Sequence, residues 1–306
     1  MMLHAAHAGQ AYPNDPDSFR TLVRTAVEAA PPVSCPDTLP MLIVPHIDLR
    51  IDLETYAAAY RAWISRSSFP ETIAILGVGH RCPHEFSLVP TRFTTPLGVV
   101  ESEAETCDAI RTQLDFETAR SPETWEGEHS LEFAIVWLQA LRDLYFPGRV
   151  FRVVPVLMGG LWSHIQRGVK PGPRAQVSRF GRALFDSVRQ RTGSAILASI
   201  DGCHVGPRFD HPFSGAEARL GVQRWERTLW DHCRSDRHAD WFAHLAGVQN
   251  IFYFDGVGVL DLLLRNCHRK ARVLHHRLWY DEDDQSFVTF TAAILDHVPK
   301  SESSQT

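Results

Sequence analysis

Paired cysteines are missing from this chain. Its six, Cys35, Cys82, Cys107, Cys203, Cys233 and Cys267, form no C-x-x-C, which excludes a zinc ribbon and a thioredoxin-type redox motif. No apolar run reaches the ~20 residues that a bilayer-spanning helix needs. No apolar stretch follows basic residues near the start, so a signal peptide is not expected either. A basic excess is also lacking: the formal net charge is −5 with histidine neutral, whereas nucleic-acid binding usually asks for a concentrated basic face. The stretch from Arg265 to Arg272 is short and interleaved with apolar residues. These absences set the expectation of a reduced, cytoplasmic protein with no nucleic-acid and no membrane partner.

Present instead is an ordinary globular mixture, 44% hydrophobic and 22% charged, with apolar material enough for a core. Asp15-Pro16-Asp17 opens a helix expected to run through Ala30, since acid and proline suit a first turn. Met41 to Pro45 reads as a buried strand. Tyr56, Tyr60 and Trp63 recur at helical spacing within Leu53 to Ser65. Strand, loop, helix and strand over Met41 to His80 make the unit that builds a parallel sheet. Further strands are expected over Phe86 to Arg92, Val150 to Leu157 and Ser194 to Ile200. Helices are expected over Ser102 to Leu114, Ser130 to Phe146, Pro173 to Arg191, Ala216 to Cys233, Asp240 to Ala246 and Val257 to Asn266. Ala271 to Tyr280 and Ser286 to Leu295 read as a closing antiparallel pair around the polar turn Asp281 to Gln285. The expected fold is α/β: a single three-layer domain over residues 1–298, with a mixed, mostly parallel central sheet flanked by helices. A polar tail over Pro299 to Thr306 follows.

Two of the apolar runs end in a histidine. Met41-Leu42-Ile43-Val44-Pro45 leads into His46, and Ile73 to Gly79 leads into His80. Open α/β sheets place their sites at such strand ends. A lone histidine there is as a rule structural. Two on consecutive parallel strands, their loops side by side at one edge of the sheet, raise the case for a metal. Zinc, copper and iron sites commonly take a third protein ligand. Asp255 follows Ile251-Phe252-Tyr253-Phe254 and precedes Gly256; by itself it suits an N-cap for the helix beginning near Val257 better than a ligand. Asp201-Gly202-Cys203-His204 ends a third run. A histidine held beside a metal by a neighbouring carboxylate can act as general acid or base, and the plainer reading is a polar loop. Ser130 is the expected cap of its helix, with His129 either exposed or pointing back into the site. Cys203 reads as a buried structural thiol, and the remaining histidines, His7 and His211 among them, carry no comparable context.

Taken in order, the motifs resemble the Memo family, the B component in the AmmeMemoRadiSam naming. The resemblance runs from Ala8-Gly9-Gln10-Ala11-Tyr12-Pro13 through Pro45-His46, Leu76-Gly77-Val78-Gly79-His80, Thr95-Pro96-Leu97-Gly98 and Glu128-His129-Ser130-Leu131-Glu132. It continues in Val154-Pro155-Val156-Leu157-Met158-Gly159 and Ser199-Ile200-Asp201-Gly202-Cys203-His204. It implies the fold of class III extradiol dioxygenases, which hold non-haem Fe(II) on two histidines and a carboxylate. His46 and His80 then take the histidine positions and His204 that of the acid/base histidine, oriented by Asp201, with His129 lining the pocket. Many family members carry a cysteine in an Asn-x-x-Cys-Gly stretch as the third ligand. Here Asn250 to Gly256 occupies that region, which makes Asp255 the third ligand. Ile47-Asp48 replaces the family's Ala-Gly after the histidine; Asp48 and Arg50 are expected to meet substrate, Arg50 by bidentate binding of an anionic group.

The resulting expectation is a mononuclear Fe(II) oxygenase-like enzyme acting on a small metal-chelating substrate with O2, the same site being able to hold Zn or Cu. The rivals are a metal-dependent hydrolase and a non-catalytic metal-binding or signalling scaffold. A homo-oligomer and AmmeMemoRadiSam partner proteins are the partner expectations that the resemblance carries.

Overall fold

Burial on both faces explains why the apolar runs become the middle of the sheet. The computed structural model describes residues 1–35, 40–114 and 122–297; the expected tail lies outside them. In chain order, β1 (Met2–His4), α1 (Pro16–Ala29), β2 (Met41–Val44), α2 (Glu54–Ile64) and β3 (Thr72–Val78) come first. There follow β4 (Phe86–Leu88), β5 (Arg92–Thr95), β6 (Gly98–Glu101), α3 (Ala104–Thr112), α4 (Pro122–Trp125), α5 (His129–Tyr145) and β7 (Arg152–Met158). The remainder is α6 (Trp162–Arg167), α7 (Gln176–Arg189), β8 (Ser194–Ser199), β9 (His204–Val205), α8 (Gly215–Arg234), α9 (His238–Gly247), α10 (Val257–Cys267), β10 (Arg269–Asp281) and β11 (Ser286–His297).

The main sheet has the order β10-β11-β2-β8-β3-β7-β4, with β9 added to β11. Its inner strands β2, β8, β3 and β7 are parallel, while β10, β11 and β4 join antiparallel at the two sides. The sheet is thus mixed, its parallel part confined to the middle. Alternate residues along each strand face opposite ways. Leu42, Val44, Ile73, Ile75, Ala195 and Leu197 therefore enter the core shared with α1, α2 and α5. Met41, Ile43, Ala74, Leu76, Ile196 and Ala198 enter the core with α7, α8, α9 and α10. Helices cover both faces, the arrangement that a buried parallel sheet requires.

Two expectations are corrected. Phe86 to Arg92 is not one strand: β4 stays on the main sheet, and β5 leaves it to pair with β1 and β6 in a small separate sheet. Pro90 falls between them and has no N–H to continue a ladder. The strands ending at His46 and His80 are consecutive in the chain but not neighbours in space, because β8 lies between them. That insertion brings the 199–204 segment between the two histidines.

Candidate metal centre

Each side chain of the site leaves the C-terminal end of a parallel strand or the start of a helix. His46 follows β2 and is 1% exposed. Its Nδ1 is 3.2 Å from the Ser199 carbonyl at the end of β8. A carbonyl can only accept, so Nδ1 carries a hydrogen, and Nε2 is the nitrogen that a metal would take, in place of a proton. His80 follows β3, and its Nδ1–H donates to the Glu128 carboxylate at 3.0 Å; its backbone N–H donates to the same group at 3.1 Å. Again Nε2 is left for a metal. Glu128 is also the N-cap of α5, accepting from Ser130 N at 3.0 Å. Ser130, the expected cap, instead donates its hydroxyl to the Val78 carbonyl at 2.9 Å and so ties α5 to the end of β3. Gly77 permits this closeness, since a Cβ there would stand 2.5 Å from Ser130 Oγ.

His129 opens α5 and turns inward. Its ring stacks on His80 with centroids 4.6 Å apart and meets His46 at 5.0 Å. His46, His80 and His129 each offer a nitrogen, all within 4.8 Å of one another, a group able to coordinate a metal ion. Asp255 points at the same place. Its Oδ2 is 3.0 Å from His46 Nε2 and 4.0 Å from His80 Nε2. Neither Asp255 oxygen, nor His46 Nε2, has a hydrogen-bond partner of good geometry, although all three atoms are buried. The capping reading of Asp255 fails: the residue at the N-cap of α10 is Gly256, with no side-chain cap.

The electrostatics favour positive charge at this point. Burial disfavours charge on His46, but the carboxylates of Asp201 and Asp255 outweigh it and push the imidazole up to about 10. Burial also opposes ionisation of Asp255, and the His46 charge prevails, holding it below the ordinary carboxylate range. Glu128 is lowered to about 2, because its bond to His80 and the His80 charge overcome burial. His129 is lowered to about 3 by burial and by the neighbouring His46 and His80, so it stays neutral and ready to ligate. Carboxylates that hold a proton on a buried imidazole will hold a cation in its place. The residues present therefore fit a metal ion.

Other expected roles are redistributed. Asp201 does not hydrogen-bond His204. Its Oδ1 accepts the backbone N–H groups of His46 and Ile47 at 2.9 and 3.1 Å, which fixes the turn that carries His46. His204 is instead oriented by the carbonyls of Gly202 and Tyr253, 3.2 and 3.3 Å from Nδ1, and its Nε2 is the basic nitrogen. Asp48 and Arg50 close on each other, with Arg50 Nη2 2.6 Å from Asp48 Oδ2 and a second bond through Nε. Arg50 stays at the surface, its side chain 70% exposed. Cys203 is buried and its thiol is pushed well up by burial, as a structural cysteine should be. Sequence reasoning missed Glu128 as an orienting carboxylate, and missed His211, which bridges Ile251 O at 2.6 Å and Gly206 N at 3.3 Å. The placement of Glu128 between a strand-end histidine and a helix start was the available signal for the first.

Comparison with known proteins adds the lineage. The profile of a family described as Memo-like protein matches residues 4–294. A MEMO1 family protein of Aquifex aeolicus is 28% identical over 211 residues, covering 68% of this chain and 50% of that protein. One of Thermus thermophilus is 30% identical over 241 residues, 78% of this chain and 66% of its own length. One of Methanopyrus kandleri is 31% identical over 216 residues, 66% of this chain and 69% of its own. The chain thus spans half the length of the first and just under two thirds of the second. Among the described residues, no helix is long and apolar enough to cross a membrane.

Proposed function

Because the chain belongs to the Memo-like protein family, we propose that it holds one Fe(II) ion on His46, His80 and Asp255. With it the protein would carry out an oxygenase-like reaction of a small metal-chelating substrate with O2, on a fold of the class III extradiol dioxygenase kind. The observation that carries this reading is the Asp255 carboxylate, buried without a hydrogen bond 3.0 Å from an equally unpartnered His46 Nε2. A buried carboxylate left so is costly unless a cation satisfies it. Fe(II), once held by the two imidazoles and the carboxylate, would supply Lewis-acid charge and the redox chemistry that a reaction with O2 needs. The chain's own part is placement and proton handling. Ser199 and Glu128 fix the imidazole tautomers, Asp201 fixes the turn at His46, and His204 Nε2 takes the substrate proton. His129 lines the pocket.

A second reading rests on the three imidazoles. Three histidines with a water in the fourth position make a hydrolytic zinc site, and His129 then replaces Asp255 as the third ligand. Metal analysis of anaerobically purified protein separates the two. Fe(II) retained by His129→Ala and lost by Asp255→Ala is the expected result; zinc retained by Asp255→Ala and lost by His129→Ala would establish the alternative. Turnover that persists under strict anaerobiosis would remove the oxygenase reading.

A further inference from the structure

A fourth imidazole, not used by either ligand set, closes on the site from the N-terminal segment. His7 packs its ring on His129, centroids 5.7 Å apart, and edge-on against Phe133 at 5.5 Å. Glu132 holds it there. This carboxylate is 7% exposed and lies one turn along α5 from His129. It accepts the backbone N–H groups of Ala6 and His7 at 2.8 and 2.9 Å. It also accepts His7 Nδ1–H at 3.1 Å and the Tyr12 hydroxyl at 2.7 Å. Every one of these donors belongs to residues 6–12, so one buried carboxylate fastens that whole strap to the helix that carries His129.

His129 needs such a support more than its neighbours do. His46 is tethered through Ser199 and His80 through Glu128. The described residues give the His129 ring no hydrogen bond; Glu128 Oε1, at 3.7 Å, is its nearest carboxylate oxygen. Ring contacts alone locate it, with His80 and His46 on the metal side and His7 and Phe133 on the other.

We propose that His7 is a positioning residue of the metal centre: the strap fastened by Glu132 seats His129 against His80, and so sets how tightly the imidazole cluster closes on its ion. The inference rests on reading the cluster as a metal site: with His129 as third ligand the strap places a ligand, and with Asp255 it acts through the stack of His129 on His80, weakening the site without emptying it. Outer groups that orient ligands typically change metal affinity about 10–100-fold when removed.

Co2+ is the probe, because its visible bands report ligand geometry without any turnover. His7→Ala is expected to weaken Co2+ binding about tenfold and to shift those bands, while its metal-free thermal melt stays near wild type. His7→Phe, which restores a ring against His129, should recover most of the affinity. Glu132→Gln should weaken binding in the same direction, and adding His7→Ala to it should cost little more, since both act through one strap. A folded His7→Ala protein with wild-type affinity and bands would overturn the proposal while leaving the metal site intact. A wild-type protein that takes up no Co2+ would overturn both.

Discussion

His46 Nε2 and Asp255 Oδ2 stand 3.0 Å apart in the protein interior, at ion-pair distance but without hydrogen-bond geometry. Two ligands bonded to one ion at roughly 2.1 Å are separated by about 3–4 Å, depending on the angle between them. The 3.0 and 4.0 Å separations of Asp255 Oδ2 from the two imidazoles fall in that range. Asp255→Asn keeps the shape and removes the charge. It is expected to lower Fe(II) or Zn(II) affinity by about 100-fold, read as metal content after equilibrium dialysis. Undiminished metal content would exclude Asp255 from the site.

Glu128 does two jobs, capping α5 and orienting His80, and both need its negative charge. Its folded pKa lies below the ordinary value of 4.5, at about 2. Its contribution to stability is therefore present above pH 4.5 and is lost as pH falls through about 2, the sign that holds for a depressed acid. Glu128→Gln should flatten that part of the acid limb in a denaturant titration. It should also reduce metal affinity about 10–100-fold by freeing the His80 ring. An unchanged acid limb would show that the His80 contact carries no charge-dependent stability.

Glu226 behaves in the opposite sense. It is 1% exposed and accepts the Thr289 hydroxyl on Oε1 at 2.9 Å, with the Trp230 indole as a further, weaker donor beside it. His276, 3.9 Å away, is itself lowered to about 4 by burial and by His275, so at neutral pH it brings no charge to share. Burial raises Glu226 to about 7. Stability from this group is complete below pH 4.5 and is lost as pH rises through 7, about 3 kcal/mol. Glu226→Gln should remove that loss and be the more stable protein at pH 8, judged by urea midpoints at pH 5 and 8. Parallel pH profiles for the two proteins would refute this.

How far the site was legible depends on whether a local pattern carried it. His46 and His80 could be read because continuous apolar runs end at them, and the closing β10–β11 pair because its two runs flank a polar turn. The insertion of β8 between β2 and β3 has no local signal: it follows from how the chain returns to the sheet after β7. The role of Asp201 follows from that insertion, since it meets His46 only across 155 residues of chain. His7 carries no local signal for the same reason, its partner Glu132 being 125 residues away. Asp255 was ambiguous because aspartate before a helix fits a cap as well as a ligand, and only the position of Gly256 at the cap separates the two.

Asp255 is delivered by a strained loop, and this gives the site a mechanical dependence on Asn250. Gln249, Asn250 and Tyr253 all have φ near +50°, at 51°, 50° and 44°, a region costly to residues with a Cβ. Asn250 is 2% exposed and clasps Phe254 from both sides, its Oδ1 accepting Phe254 N and its Nδ2 donating to Phe254 O, each at 3.0 Å. Removing the clasp leaves a buried N–H and a buried carbonyl unsatisfied, so Asn250→Ala should cost about 1–3 kcal/mol in urea unfolding. Because Phe254 directly precedes Asp255, the proposed ligand, the same variant should also lose metal affinity, whereas Tyr253→Gly, at an exposed position where the strain is simply relieved, should lose neither. A loop that mattered only for folding would show the stability loss in Asn250→Ala with metal affinity unchanged.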